Sequence, residues 1–249
     1  MYRFFTFLLL LQIIIFGACS SNGHKHSTTS SDASQTDKQT TEKQTNSYSE
    51  SEEAMRNLGL VDIGTLDTTI QVKLMYATDD NFMHQVMYKD ISKAFFLPAL
   101  AEKIVKAQAQ LRRLHPGYSL IIYDAARPVS VQKEMRQMAE KMGKADYVAN
   151  PASGSGMHNY GAAVDISIVD ASGKPLSMGT PFDWFGPEAH ITNESQLVAD
   201  GLITQQELDN RLLLRKLMTD NGLLTIPQEW WHFELMHAAK AKQELKTLQ

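Results

Sequence analysis

Apolar residues recur along this chain with two periods, and the switches between them mark its elements. Ile70, Val72 and Leu74 alternate with polar neighbours, the pattern of a half-buried strand. From Phe96 the sequence FLPALAEKIVKAQAQLRRLHPG takes on helical spacing and stops at Pro116-Gly117. SLIIYDA, from Ser119, is a short buried strand. Pro128 suits a first helical turn, and VSVQKEMRQMAEKMG after it predicts a second helix. AAVDISIVD, from Ala162, returns to strand, with ASGKP as its turn into another short segment. Thr204 and Glu207 form a capping box that starts a helix running to about Asn221. A last strand contains PQEWWHFELMH, from Pro227, and a helix follows from about Ala238. Helices and strands mix without a strict βαβ rhythm. The expected class is therefore α+β, a small antiparallel central sheet with flanking helices.

The N-terminus breaks this pattern. Arg3 precedes an apolar run from Phe4 to Phe16, followed by Gly17, Ala18 and Cys19. The run is short for a membrane span, which needs about 20 apolar residues, and reads as an export signal. Cys19 stands at the cleavage position and is the sole cysteine. This resembles the lipobox of bacterial lipoproteins, which implies lipidation at Cys19 and an exported chain anchored to a membrane, facing the periplasm or cell exterior. Residues 20–53 are almost wholly polar and cannot bury enough surface to offset ordering, so they predict a flexible tether. The folded domain is expected over 54–249.

Composition narrows the chemistry. The 249 residues are 43% hydrophobic and 21% charged, with a net charge of -4, enough for one sizeable core. The negative balance, with no basic block, argues against a nucleic-acid partner. One cysteine excludes a disulfide framework and a thiolate zinc site. Any metal must be held by His, Asp or Glu.

His158 and Asp165 lie seven apart in SGSGMHNYGAAVDIS. In a helix they would sit about 10 Å apart, too far for one ion whose bonds are about 2 Å. In an unbroken strand they would face opposite sides. They meet only if the chain bends, and Gly161 permits that bend. Alone, the pair reads equally as a loop histidine and an aspartate satisfied by backbone donors. Near the C-terminus, Glu229 and His232 flank Trp230 and Trp231. Two imidazoles and one carboxylate suit zinc, and three protein ligands leave a position open for chemistry. His158, Asp165 and His232 are the candidate ligands, for one zinc per chain. Glu229 is the candidate general base. One tryptophan packs in the core, and the other walls the pocket. Glu234 and His237 read as ordinary strand-end and helix-start polarity.

These residues carry a resemblance. The spacing from His158 to Asp165, followed by Glu229-Trp-Trp-His232, is similar to that of the zinc D-alanyl-D-alanine dipeptidases of peptidase family M15. These are vancomycin-resistance-type hydrolases within the zinc D,D-peptidase and Hedgehog-like group. The blocks MYATDDNF from Met75, DAARP from Asp124 and MGTPFDWF from Met178 occur in the family's order. The double tryptophan points to the dipeptidase branch. The resemblance implies that fold, a zinc-activated water and a small dipeptide substrate cleaved to two D-alanines. It implies that Arg127 stabilises the oxyanion, its bland alternative being a salt bridge to Asp124. Asp183 is then the candidate for the substrate ammonium, with Ser155, Tyr76 and Trp231 as further substrate contacts. Ala126, Asn159 and Tyr160 depart from the family's usual residues and bear on pocket shape. Two alternatives stand beside this reading. One is a peptidoglycan D,D-carboxypeptidase or L,D-endopeptidase, and the other a non-catalytic envelope-binding module.

Overall fold

The structure, a computed structural model, describes residues 47–152 and 156–249. The signal segment with Cys19, most of the tether, and Ser155 lie outside the described residues. The chain divides at Thr45–Asn46, and the described residues all belong to the unit Asn46–Gln249. It begins ahead of Ala54. Helix α1 (Glu50–Asn57) opens with a capping box between Ser49 and Glu52. Glu52 is buried and accepts hydrogen bonds from the backbone of Ser92 and Lys93 and from the Lys93 ammonium. Burial opposes its charge, but these donors outweigh burial and hold its carboxyl down to about 2.

The strands among the described residues are β1 (Val61–Asp62), β2 (Gln71–Val72), β3 (Phe95–Phe96), β4 (Ser119–Asp124), β5 (Ala163–Val169), β6 (Leu224–Ile226) and β7 (Glu229–Glu234). The remaining helices are α2 (Pro98–Leu114), α3 (Val129–Lys141), α4 (Glu194–Ala199), α5 (Gln205–Asp220) and α6 (Ala238–Glu244). The expected helices form with shifted ends. Pro98 occupies the first turn of α2, so Phe96 belongs to a strand instead. Thr204 and Glu207 make both bonds of the capping box of α5. No helix among the described residues is long and apolar enough to cross a membrane.

Five strands form the main sheet in the order β2-β4-β5-β7-β6. It is mixed, not antiparallel throughout as expected: β2 runs parallel to β4, and the other pairings are antiparallel. The crossover from β2 to β4 contains α2, and such a connection returns the chain in the same direction. Only Gln71 and Val72 pair, so the alternation from Ile70 to Leu74 marks a short edge. Ile70 and Leu74 are buried while Val72 is exposed.

Every residue of β5 is buried. By strand alternation Val164, Ile166 and Ile168 share one face and Asp165 the other. Val164, Ile166 and Ile168 join one apolar cluster with Leu100 and Ile104 of α2 and Leu214 and Leu217 of α5. Full burial of each such side chain is worth about 1.5–3 kcal/mol. One face of the central strands therefore anchors the sheet, and the other is left to carry polar groups.

Candidate active site

Asp124, Asp165 and His232 form a row across the three central strands. Asp124 pairs with Asp165 in the β4–β5 ladder, and Asp165 pairs with His232 in the β5–β7 ladder. Directly opposed residues project to one face, about 5 Å apart. His158 joins them from the 3-10 turn Met157–Tyr160 just before β5. The bend expected at Gly161 is present: its φ is 64°, and a Cβ there would meet the Leu60 side chain at 2.6 Å. Conformation and space both require glycine.

The three candidate ligands converge, each offering one atom within 4.8 Å of the others. His232 Nδ1 lies 2.8 Å from Asp165 Oδ1 and 3.2 Å from His158 Nε2. His158 Nε2 lies 3.3 Å from Asp165 Oδ1. A tetrahedral ion with bonds near 2 Å has ligand–ligand edges of about 3.3 Å. The donor types and separations therefore fit a divalent metal. The outer ring nitrogens are also held. His158 Nδ1 donates to the Ala125 carbonyl at 2.8 Å, so that in a neutral ring the Nε2 lone pair would face the cluster.

Glu229 stands beside this group, 3.8 Å from His232 Nδ1. Strict alternation would put residues three apart on opposite faces. The register shift between Thr225 and Ile226 on β6, opposite this end of β7, marks the irregularity that lets both reach one side. Burial pushes the Glu229 carboxyl from 4.5 up to about 7 against the pull of His232. Burial opposes the charge on His232, but hydrogen bonds to Asp165 and Glu234 push it from 6.5 up to about 10. Burial also opposes ionisation of Asp165, yet His158 and His232 hold it well below the usual carboxylate range.

These shifts set the pH dependence of the metal-free protein. Protonated His232 adds stability that is complete below pH 6.5 and lost as pH rises through about 10. Glu229 takes up a proton on folding, so its share is complete below pH 4.5 and lost as pH rises through about 7. Asp165 contributes in the other direction, and its share is lost as pH falls below 3.8. The metal-free melting temperature is expected to be highest at about pH 4–5 and to fall steadily toward about pH 9. A flat or rising profile over that range in calorimetry would contradict these environments.

Arg127 is buried and lines the same cavity as the cluster. Its Nε donates to Asp124 Oδ2 at 3.0 Å, its Nη2 reaches the same oxygen, and its Nη1 donates to Gln132 Oε1 at 2.8 Å. The guanidinium lies 5.0 Å from the centre of the Tyr76 ring. The salt bridge to Asp124 is thus formed while the group still faces the cavity. Asn159, one of the residues that depart from the family pattern, donates from Nδ2 to the Arg127 carbonyl at 2.7 Å. It helps to hold the Arg127 backbone in place.

The cavity has a volume of about 700 Å³, and Asp183 lines it from the loop after Met178. Both Asp183 carboxylate oxygens accept from the Tyr76 hydroxyl at 3.0 Å. Burial first, and the Asp165 charge second, hold the Asp183 carboxyl well above its ordinary 3.8. No Lys, Arg or His forms an ion pair with it among the described residues. Asp183 sits at φ 61°, in the left-handed region, a conformation costing about 1–3 kcal/mol that surrounding structure must enforce. Buried Arg211 does so at both ends of the loop. Its Nε donates to the Met178 carbonyl at 2.6 Å and its Nη2 to the Glu188 carbonyl at 2.9 Å.

Both tryptophans of β7 are buried. Trp231 lines the cavity and meets Phe182 edge-on at 5.5 Å between centroids. Trp230 turns away and donates from Nε1 to Thr180 Oγ1 at 2.8 Å, steadying the Asp183 loop. Sequence reasoning missed Gln132, which holds Arg127, and Glu234, whose Oε1 lies 3.3 Å from His232 Nε2. Glu234 is therefore not mere strand-end polarity. The available signal was its place two residues after His232 on a strand, which puts both side chains on one face.

Comparison with known proteins agrees with this geometry. A family model described as D-ala-D-ala dipeptidase, within the M15 peptidases, matches residues 56–248. The D-alanyl-D-alanine dipeptidase of Escherichia coli K12 is 33% identical over 183 residues, covering 72% of this chain and 86% of that protein. The D-alanyl-D-alanine dipeptidase of Enterococcus faecalis is 29% identical over 181 residues, covering 65% of this chain and 83% of that protein. That of Synechocystis is 25% identical over 175 residues. With the family model spanning nearly all the described residues, and a buried His-Asp-His group on one cavity wall, the chain belongs to the D-Ala-D-Ala dipeptidase family of M15 peptidases, a family of hydrolases.

Proposed function

We propose that the protein hydrolyses the dipeptide D-Ala-D-Ala to two D-alanines with one zinc held by His158, Asp165 and His232. Zinc bound there would lower the pKa of a coordinated water and polarise the scissile carbonyl. The chain's own groups do the rest. Glu229, with its carboxyl near 7, accepts a proton at the attacking face and returns it to the leaving amine. Arg127 presents a fixed positive charge to the oxyanion that develops at the carbonyl. Asp183, with the Tyr76 hydroxyl donating to it, receives the substrate ammonium. Trp231 and its aromatic neighbours limit water around these charges, which strengthens each interaction.

The observation that carries this reading is one cavity lined by both the His-Asp-His group and the half-buried Asp183. Burial disfavours the charged form of this carboxyl, and an entering ammonium supplies the counter-ion that favours it. A substrate whose amine is acylated brings none. The purified protein should contain about one zinc per chain and release D-alanine from D-Ala-D-Ala. It should prefer that dipeptide to its N-acetylated analogue by roughly four orders of magnitude. Activity on the acylated analogue with none on the free dipeptide would select the carboxypeptidase reading instead.

Export and membrane anchoring through Cys19 belong to the same proposal and rest on the sequence of residues 1–19 alone. Fatty-acid labelling should vanish in Cys19→Ala, and labelling that persists would remove the anchor from this reading.

A further inference from the structure

His232 has two ring nitrogens, and the structure gives each a distinct surrounding. Nδ1 faces Asp165 at 2.8 Å and His158 at 3.2 Å. Nε2 points outward to Glu234 Oε1 at 3.3 Å. His158 is arranged in the opposite sense, with Nε2 inward and Nδ1 on the Ala125 carbonyl. The two histidines thus offer different nitrogens to the same point, and an oxygen acceptor stands behind each. Behind His158 the acceptor is a backbone carbonyl, and behind His232 it is a carboxylate.

We propose that Glu234 is a positioning residue of the metal centre, holding the His232 ring in the Nε2–H tautomer so that the Nδ1 lone pair faces the ion. This rests on the metal reading above and adds a residue to it. A metal takes only an unprotonated nitrogen, so the proton of a neutral His232 must sit on the other one. A carboxylate there accepts that proton in a hydrogen bond and makes the ring a stronger donor. Glu234 is well placed for the task. It follows His232 by two residues on β7 and shares its face. Its backbone is paired on both sides, with Ala163 of β5 and Leu224 of β6, so the carboxylate is rooted in the sheet interior. It lies on the far side of the ring and is not one of the three converging ligands.

The test measures zinc affinity of the purified protein by competition with a chromophoric chelator, using zinc ion alone as the probe. Glu234→Ala is expected to weaken zinc binding by about 10–100-fold. Glu234→Gln keeps an oxygen that accepts from Nε2–H and should recover much of that loss, which a purely structural role for the charge would not explain. Nitrogen-15 spectra of the zinc-loaded protein should show His232 with a slowly exchanging proton on Nε2, and Glu234→Ala should lose that protection. Wild-type affinity and unchanged exchange in both variants, in a wild type that binds zinc, would overturn the inference. A wild type that binds no zinc would instead overturn the metal reading beneath it. Circular dichroism of the metal-free variants checks that each is folded.

Discussion

Glu229→Ala is expected to retain its zinc and lose turnover by about 10²–10⁴-fold, the usual share of a positioned general base. Glu229 is not among the three converging ligand atoms, so its removal leaves the metal's protein contacts intact. What is lost is the one carboxyl beside His232 whose environment brings its pKa close to neutrality. Glu229→Gln makes the sharper comparison, because it keeps the shape of the side chain and removes only its basicity. Zinc content by elemental analysis and kcat on D-Ala-D-Ala separate the two effects. A variant that loses metal yet keeps its rate per zinc would show Glu229 to be a ligand rather than a base.

Arg127→Ala should act twice. Loss of an oxyanion donor costs about 10²–10³-fold in kcat. The same change strips buried Asp124 of its cation, and an uncompensated buried charge costs about 3–5 kcal/mol. Arg127→Lys separates these effects. Lysine keeps the charge but not the fork that reaches Asp124 from Nε and Nη2 and Gln132 from Nη1. It should recover much of the stability and only part of the rate. Full kcat in a destabilised Arg127→Ala protein would reduce Arg127 to a structural ion pair.

The elements were legible where local order decides them. The N-terminal cap of α5 follows from Thr204 and Glu207, whose bonds act within a turn, whereas the helical spacing read from Phe96 ran two residues ahead of the first turn that Pro98 opens. The short β2 was read too long because alternation at Ile70, Val72 and Leu74 says nothing about which residues find a partner strand. Its parallel pairing was also invisible, since the direction of an edge strand is set by where α2 returns the chain. At the site, His158, Asp165, Glu229 and His232 were recognisable by residue type and by the bend that Gly161 permits. Glu234 was not, because a glutamate at a strand end looks the same whether or not an imidazole nitrogen faces it.

The sequence by itself thus determined most of the elements, the glycine bend and the candidate metal-ligating and acid–base side chains. These depend on residue type and on neighbours a few positions away. The tertiary structure decided how those groups meet: the row Asp124, Asp165 and His232 across three strands, the nitrogen each histidine turns inward, and the burial that lifts Glu229 to about 7. The contacts responsible join residues 67, 74 and 107 positions apart. Strand register and burial arise only when such distant segments pack, and no local pattern encodes them.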